Sequence, residues 1–289
     1  MTPGAGAPLN GKACTMKILQ LTDIHLTTPG ETIGERDPNA NFEAALAHAL
    51  ATHPDADCLV ITGDLSDWGE RADYERLRDR LDRVALPVEL CIGNHDDRAA
   101  FLDVFPERVD ENGFVQRVFD LPGALGITLD TWWPDTHAGR YCETRRRWLD
   151  AQLAAADRPV FLFMHHNPIP THVAPKDQIM LLDAEAFRAV LTPHAAKVRH
   201  IFFGHCHIPL AGSVAGIPVS APRGTNHAGF PNFPEKALLT RSSLPEAYAV
   251  AIVEGASVTV HMVEFREATR LTVEGSPDKA AWDRTTMAR

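Results

Sequence analysis

The sequence predicts an α/β protein with a mostly parallel sheet whose two faces are covered by helices. Short apolar runs alternate along the chain with stretches of helical periodicity, and the alternation continues past residue 200. A strand, a helix and a second strand in succession make a βαβ unit, and such units build parallel sheets. Near the C-terminus, two strand-like runs joined at residues 254–256 add a predicted hairpin.

The first half of the chain shows the alternation most clearly. Apolar runs of five or six residues predict buried strands, and between them apolar side chains recur at helical spacing. The second helix, for example, carries Tyr74, Leu77 and Leu81 on one face. The expected elements are strands at 16–21, 58–62 and 87–92 and helices at 39–53 and 71–84.

The second half continues the pattern less regularly. It predicts strands at 114–119, 126–129, 160–164 and 200–203 and helices at 143–156 and 184–191. Residues 218–245 are rich in Pro, Gly, Ser and Asn, which is typical of a loop, and the hairpin covers 247–265. Because no linker divides the chain, we expect one domain over 15–265, with a flexible N-terminal tail at 1–14 and a C-terminal tail at 266–289.

Composition restricts the partners and the compartment. The 289 residues carry a formal net charge of −10, and no basic block exceeds Arg145–Arg147, so a nucleic-acid polymer is not the expected partner. The five cysteines are odd in number and contain no C-x-x-C, which argues against a disulfide framework or a thiolate zinc site. With no signal-peptide core and no membrane-spanning apolar run, we expect a soluble, cytoplasmic protein without a membrane partner.

Metal-competent residues follow five of the predicted strands. The chain has fourteen histidines, and the most informative of them come directly after an apolar run. The carboxyl ends of the strands form the ligand crevice of an open α/β sheet, so these residues should converge in space. The residues concerned are Asp23, His25, Asp64, Asp67, Asn94, His95, His165, His166, His205 and His207.

Such a group of side chains has the chemistry of a metal site. Its oxygen and imidazole ligands, without thiolate, suit Mn, Fe, Co, Zn or Ni. Several Asp and His side chains buried together without a cation would cost several kcal/mol for each uncompensated charge. Any one of these residues alone is more often structural, but five short motifs that each follow a strand favour a site.

These motifs also carry a family resemblance. The series D-x-H, G-D-x-x-D, G-N-H-D, a strand-end His and G-H-x-H, which spans residues 23–207, resembles the calcineurin-like metallophosphoesterase superfamily. The HHNP after the fourth strand and the DQIMLLDAEAFRAVL ahead of GHCH are similar to bacterial class III cyclic-nucleotide phosphodiesterases and related glycerophosphodiesterases. The resemblance implies a four-layered α/β/β/α metallophosphoesterase sandwich, here with a C-terminal β-hairpin extension.

The resemblance further implies dinuclear-metal-dependent hydrolysis of a small phosphodiester, a cyclic nucleotide or a glycerophosphodiester, by a metal-bound hydroxide. Two such metals clamp the attacking and leaving oxygens of an in-line displacement. The two ions would be Mn, Fe, Zn or Co, with a pair of the Fe/Mn type favoured. One ion would be held by Asp23, His25, Asp64 and His207, and the other by the bridging Asp64 with Asn94, His165 and His205.

His95 matches the family histidine that contacts the phosphate and protonates the leaving group, so Asn94 and His95 are also expected to bind substrate. The alternative activity is a phosphomonoesterase with the same dimetal centre, and a metal-stabilised scaffold without catalysis is an alternative of a different class. The oligomeric state is undecided by the sequence, and the hairpin and the 218–245 loop could form the interface of a homo-oligomer.

Several neighbouring residues have two interpretations. Asp67 is expected to cap a helix, with a role as hydrogen-bond acceptor behind the metal ligands as the alternative. Asp96 and Asp97 are expected to cap the helix that follows them. His166 could pack or contact phosphate, and Cys206 is expected to face the core. Three further residues, Trp132, Trp133 and Arg140, could line a nucleobase pocket or anchor packing, and His227 is a weaker candidate for substrate contact.

Overall fold

Two β-sheets pack against each other in residues 15–266, the part of the chain that the computed structural model describes. The predicted tails lie outside that range, apart from Arg266. The strands are β1 (Thr15–Leu21), β2 (Cys58–Thr62), β3 (Val88–Cys91), β4 (Arg117–Leu121), β5 (Ala124–Thr128), β6 (Val160–Phe163), β7 (Val198–Phe202), β8 (Leu210–Val214), β9 (Ile217–Ala221), β10 (Ala228–Gly229), β11 (Arg241–Ser242), β12 (Ala247–Glu254) and β13 (Ser257–Glu264).

Six α-helices connect or flank these strands. They are α1 (Pro38–Thr52), α2 (Arg71–Leu81), α3 (Arg98–Val104), α4 (Glu143–Ala155), α5 (Ala174–Asp177) and α6 (Ala184–Leu191), with short 3-10 helices at Pro106–Arg108 and Thr192–His194. Aspartate side chains cap the N-termini of α1 and α3: Asp37 accepts a hydrogen bond from the Ala40 amide at 3.0 Å, and Asp97 accepts one from the Ala100 amide at 2.8 Å. The predicted cap at Asp97 is confirmed. Within the described range, no helix is long and apolar enough to span a bilayer.

The first sheet has five strands in the order β13-β12-β1-β2-β3, and the second has six in the order β4-β5-β6-β7-β9-β8. In the first, β1, β2 and β3 are parallel, and in the second, β5, β6, β7 and β9 are parallel. The periodic alternation therefore predicted parallel pairing correctly, but it gave no sign that the strands divide between two sheets.

Three apolar clusters lie between four layers. Strand alternation sends Leu19 and Leu59 outward against α1, α2 and α3, while their neighbours Ile18 and Val60 point inward to the second sheet. The layer between the sheets also contains stacked aromatic rings, with Phe163 and Phe202 centroids 5.2 Å apart. A third cluster packs α4 and α6 on the far face of the second sheet. The predicted α/β/β/α sandwich is confirmed.

The C-terminal hairpin is present and belongs to the first sheet. Strands β12 and β13 pair along their whole length, from Ala247↔Glu264 to Glu254↔Ser257. Strand β12 also pairs with β1, from Thr15↔Glu254 to Gln20↔Ala249. The hairpin is thus an integral edge of the sheet and not an extension attached beside it.

The predicted loop over 218–245 is partly wrong. Strand β9 occupies its first residues, and the short pair β10 and β11 lies within it. The composition suggested a loop because Pro218 and several small residues stand in this stretch. Pro218 pairs with Ser213 near the hairpin end joining β8 and β9, a position at which a missing amide proton is tolerated more easily than in the middle of a ladder.

Candidate metal centre

The strand-end residues predicted from sequence meet where the two sheets adjoin. The loops after β1, β2 and β3 of the first sheet carry one group of these residues. The loops after β6 and β7 of the second sheet carry the others. Ion-pair contacts join the two groups: Asp64 of the first sheet lies 3.3 Å from His165 of the second, and Asp23 lies 3.2 Å from His207. The crevice is therefore shared by the carboxyl ends of both sets of parallel strands.

The loops that carry these residues are held in an uncommon backbone conformation. Five residues of the centre that are not glycine have positive φ, namely Asp23 (55°), His25 (48°), Asp64 (51°), His205 (65°) and His207 (52°). A left-handed residue other than glycine costs of order 1–3 kcal/mol and persists only where its surroundings fix it. Backbone hydrogen bonds do so here, since Asp23 donates to the Gly63 carbonyl at 3.0 Å and His25 to the Asp64 carbonyl at 2.8 Å.

Two glycines allow these loops to approach closely. A Cβ atom on Gly93 would overlap the Asp64 carboxylate and lie 2.6 Å from Nε2 of His165. A Cβ on Gly204 would overlap Oγ1 of Thr22. Only glycine fits at either position, so these residues serve the geometry of the site and are more than loop punctuation.

One cluster consists of Asp23, His25, Asp64 and His207, whose candidate ligand atoms all lie within 4.8 Å of one another. Nδ1 of His25 donates to Asp67 Oδ1 at 2.9 Å, and Nδ1 of His207 donates to the His227 carbonyl at 3.0 Å. Because both partners are acceptors only, each ring keeps a lone pair on Nε2. These two Nε2 atoms face each other at 3.3 Å, an arrangement that a cation between them would stabilise.

A second group repeats this pattern around His165. Its Nδ1 donates to the Thr62 carbonyl at 2.8 Å, and its Nε2 faces Asp64 Oδ1 at 3.3 Å and Asn94 Oδ1 at 3.2 Å. The buried Nε2 of His205 finds no hydrogen-bond partner within residues 15–266. Asp64 takes part in both groups, since its other oxygen lies 3.6 Å from Nε2 of His25. The donor set therefore fits two neighbouring cations with one shared carboxylate.

The carboxylates of the centre stay ionised because positive charge lies next to them. Burial alone would raise the pKa of Asp23, but the adjacent His207 lowers it to about 2. Burial would lower the pKa of His165, yet the Asp64 carboxylate raises it to about 9. The pKa of Asp64 lies well below its usual value because His165 and His95 outweigh its burial. Buried carboxylates that stay ionised require compensating positive charge.

His95 lies beside this centre, and within residues 15–266 only one of its ring nitrogens has a hydrogen-bond partner. Its backbone amide donates to Asp64 Oδ1 and its Nδ1 donates to the Asp67 carbonyl, both at 2.9 Å. Burial opposes a charge on this ring, but Asp64 and Asp67 raise its pKa above the usual value. The remaining Nε2 is available to a molecule in the cavity, which His95 lines.

Two aspartates do not have the capping roles predicted for them. The N-cap of α2 is Glu70, and Asp67 instead accepts from His25, which was the alternative interpretation. Asp96 does not cap α3 because it is buried and accepts hydrogen bonds from Gly93, Leu65 and Ser66 amides at 2.7–3.1 Å. It ties the loop after β2 to the loop after β3, and burial raises its pKa to about 6. The G-N-H-D motif includes Asp96, but the motif alone did not predict that Asp96 connects two loops.

Contacts decide the interpretation of three further residues, His166, Cys206 and Trp132. His166 is buried, with Nδ1 bonded to Thr131 Oγ1 at 2.7 Å and Nε2 to the His137 carbonyl at 3.2 Å, so it packs. Cys206 faces the apolar core of the second sheet, as predicted. Trp132 donates from Nε1 to the Asp96 carbonyl at 2.6 Å and stacks under Arg98, which makes it a packing anchor.

A cavity of about 450 Å³ opens above the cluster. One part of its wall consists of predicted metal ligands and His95, and another part consists of α5 and the segment 227–241. His227, the weaker candidate from sequence, does line it, with its ring centroid 4.1 Å from that of His207. The cavity is also lined by His137, Lys176, Gln178 and Arg241, which the sequence did not single out as individual residues.

Comparison with known proteins agrees with this geometry. A probable cyclic nucleotide phosphodiesterase of Rhodopseudomonas palustris is 36% identical over 255 residues, which cover 86% of this chain and 93% of the relative. A cAMP/cGMP dual specificity phosphodiesterase of Mycobacterium tuberculosis is 32% identical over 214 residues, covering 72% of this chain and 67% of the relative. A glycerophosphodiester phosphodiesterase of Enterobacter lignolyticus is 27% identical over 206 residues, covering 66% and 71%.

A solved structure with the same fold is a dimetal phosphatase from Danio rerio, with a TM-score of 0.63 at 17% identity, covering 87% of this chain and 99% of that one. The family model described as calcineurin-like phosphoesterase matches residues 16–209, a range that holds every predicted ligand. From that match and the paired His and Asp clusters, we conclude that this chain belongs to the calcineurin-like phosphoesterase family.

Proposed function

We propose that the protein hydrolyses a small phosphodiester, a cyclic nucleotide or a glycerophosphodiester, at a centre of two metal ions. The observation that carries this proposal is the convergence of buried imidazole nitrogens and carboxylate oxygens, above all His25 Nε2 facing His207 Nε2 at 3.3 Å. The relatives named as cyclic nucleotide and glycerophosphodiester phosphodiesterases support the class of substrate.

In this proposal each ion is held by one of the two groups described above. Asp23, His25, Asp64 and His207 hold one ion, and Asp64, Asn94, His165 and His205 hold the other. The donor atoms are nitrogen and oxygen only, which suits Mn, Fe, Zn or Co, and we favour a pair of the Fe/Mn type. Cys206 stands between two of the ligands in sequence, but its thiol packs in the core.

When bound, the two ions would polarise the phosphoryl group and activate water at neutral pH. The chain's own contribution is to bind and orient the substrate and to supply a proton. Asn94 and His95 line the cavity, where they would contact the phosphoryl oxygens. With Nδ1 fixed on the Asp67 carbonyl, His95 would present Nε2–H to the leaving oxygen, as a general acid must.

Turnover of model substrates tests this function. The protein is stripped with a chelator, reloaded with Mn²⁺, and assayed with bis(p-nitrophenyl) phosphate and p-nitrophenyl phosphate. We expect faster turnover of the diester, followed by activity on a panel of 3′,5′- and 2′,3′-cyclic nucleotides and glycerophosphodiesters. Faster turnover of the monoester would favour the phosphomonoesterase alternative. Two bound ions without turnover of either ester would favour the scaffold alternative.

We also propose the setting in which the enzyme works. Residues 15–265 form one domain, and the protein acts in the cytoplasm on a small-molecule substrate. Cys58, Cys91 and Cys206 are free, buried thiols in apolar clusters, as suits a reducing compartment. Exposed apolar side chains on the 218–245 segment, Phe233, Leu238 and Leu239, support a contact between copies of the chain, which light scattering coupled to gel filtration would test.

A further inference from the structure

Lys176 is a buried lysine in the wall of the substrate cavity. It belongs to the short helix α5, and only 6% of its surface is exposed. Its ammonium lies beside β10, since a Cβ atom on Gly229 would be 3.3 Å from Nζ and 3.3 Å from the Cys206 carbonyl. Cys206 stands between the proposed metal ligands His205 and His207 in sequence, so the Lys176 side chain lines the cavity close to the centre.

The ammonium of Lys176 has no acceptor in residues 15–266, where neither a hydrogen bond nor an ion pair is formed by its Nζ. The three other lysines of this range all have one. Lys17 pairs with Asp55 at 2.6 Å, Lys197 donates to the Leu153 carbonyl at 2.9 Å, and Lys236 donates to the Phe233 carbonyl at 3.0 Å. The most deeply buried lysine is thus the one without a partner.

Such an arrangement has an electrostatic cost. Burial disfavours the charged form of the side chain and lowers the pKa of Lys176. Asp23 offsets this effect in part, but Asp23, Asp64 and Asp67 are all engaged with histidines. Arg241 lines the same cavity and also forms no ion pair in the described part of the chain. Two cations are therefore left for an anionic occupant.

We propose that Lys176 is a substrate-binding residue whose ammonium binds an anionic oxygen of the phosphoester in the cavity, with Arg241 adding positive charge to the same wall. This proposal rests on the proposed function. The oxygen belongs either to the phosphoryl group that is cleaved or to a second anionic group of the substrate, such as a carboxylate or a further phosphate. In either case Lys176 contributes to affinity, which the metal ligands and His95 do not fully determine.

The test replaces the ammonium and keeps the volume of the side chain. Lys176→Met removes the charge, Lys176→Arg retains it, and Lys236→Met is the control at a solvent-exposed lysine of the neighbouring segment. For each protein, metal content and melting temperature are measured first. The affinity of the metal-loaded protein for inorganic phosphate is then measured by titration calorimetry, and KM and kcat are measured with bis(p-nitrophenyl) phosphate.

For Lys176→Met we expect two bound ions, a melting temperature within a few degrees of the original, and a KM for bis(p-nitrophenyl) phosphate that rises by a larger factor than kcat falls. The affinity for the anion whose oxygen Lys176 binds, either inorganic phosphate or the ligand with a 5′-phosphate, should fall about 10- to 100-fold. Such a loss is typical when a charge-assisted hydrogen bond is removed. Lys176→Arg should recover most of this affinity, and Lys236→Met should show none of the loss. Lys176→Gln gives the same comparison with a polar side chain in case the Met variant does not fold.

A matched pair of ligands identifies the source of the oxygen. Adenosine 2′,3′-cyclic phosphate, with and without a 5′-phosphate, is measured as an inhibitor of bis(p-nitrophenyl) phosphate turnover. Equal weakening of both ligands and of inorganic phosphate assigns the oxygen to the cleaved phosphoryl group. Weakening confined to the ligand with the 5′-phosphate assigns it to a second anionic group.

Unchanged affinity for all three ligands in a folded, metal-loaded Lys176→Met protein would overturn the proposal. A loss that appears only as lower metal content or a lower melting temperature would do the same, because it would show a structural role. Failure of the proposed function has a different result, namely no turnover of any ester by the original protein. The calorimetric measurement with phosphate would still test Lys176 in that event.

Discussion

At the scale of single residues, Asp64 has the largest expected effect because its two oxygens face different histidines, His165 and His25. We predict that Asp64→Ala reduces bound metal from two ions towards one or none and abolishes hydrolysis. Elemental analysis and the diesterase assay measure both outcomes. Asp150→Ala, which alters a surface carboxylate paired with His194, is the matched control and should keep both properties. Full activity in Asp64→Ala would contradict the whole metal assignment.

His95 should behave differently, since no proposed metal bond depends on its side chain. We predict that His95→Ala retains both ions while kcat falls roughly 10²- to 10⁴-fold, the range of general acid–base catalysis. Metal content and kcat are measured on the same preparation, with His194→Ala as a control remote from the cavity. If metal is lost together with activity, the residue holds the centre together and is not the proton donor.

Gly93 tests whether the close approach of the loops is needed. In Gly93→Ala the new Cβ would overlap the Asp64 carboxylate, so we predict loss of metal and of activity. Gly123→Ala is the comparison, because a Cβ there meets nothing within 4 Å but the positive φ of 68° is strained. Of order 1–3 kcal/mol of stability should be lost in Gly123→Ala, with activity retained. An active Gly93→Ala protein would show that the loops can move apart without harm.

How much of the site could be predicted differs from residue to residue. The ligand candidates could be found because each follows an apolar run, which sequence shows directly. Asp67 and Asp96 were misassigned because both precede a helix, and a cap and a buried acceptor have the same sequence pattern at such a position. Lys176 was missed because no pattern distinguishes a lysine that faces a cavity from one that faces solvent.

At the scale of helices and strands, periodicity predicted β2 and α6 with their exact bounds, since both have strong apolar patterns. It missed β8, whose sequence LAGSV is small and largely exposed. It also could not divide the strands between two sheets, because the apolar pattern of a strand says how deeply it is buried and not which strand lies beside it.

Strand β7 offers a test of electrostatics away from the centre. His200 on this strand is 6% exposed, bonds Ser220 Oγ at 2.8 Å, and burial lowers its pKa from 6.5 to about 4. In the unfolded chain His200 therefore binds a proton below about pH 6.5, whereas in the folded chain it does so only below about pH 4. Stability from this residue is intact above pH 6.5 and declines as the pH falls between these values.

We predict that this single group accounts for about 3 kcal/mol of the acid destabilisation, as an upper bound from a shift of this size. Urea unfolding at pH 7.5 and pH 4.5 of the original protein and of His200→Gln measures it, because Gln can still bond Ser220 but does not titrate. The variant should lose less stability than the original protein between the two pH values. Equal losses would mean that His200 is protonated in the folded state.

At the scale of the whole molecule, the centre joins the two sheets. Asp23, His25, Asp64 and Asn94 come from loops of the first sheet, whereas His165, His205 and His207 come from loops of the second. Apolar side chains, with Phe163 and Phe202 among them, pack between the sheets and stabilise the sandwich. Metal ions would add a second connection at the edge where the buried carboxylates otherwise repel each other.

This arrangement predicts that metal binding stabilises the entire fold. A ligand that binds only the folded state at 100 times its Kd adds about 2.7 kcal/mol, which corresponds to roughly 5 to 10 °C in Tm for a domain of this size. Scanning calorimetry of the Mn²⁺-loaded and the chelated protein, at one scan rate, measures the difference. In Asp64→Ala the two curves should nearly coincide, because the residue common to both groups is gone. A chelated protein with the original Tm would mean that the ions do not connect the sheets energetically, and that packing between the sheets alone fixes the geometry of the site.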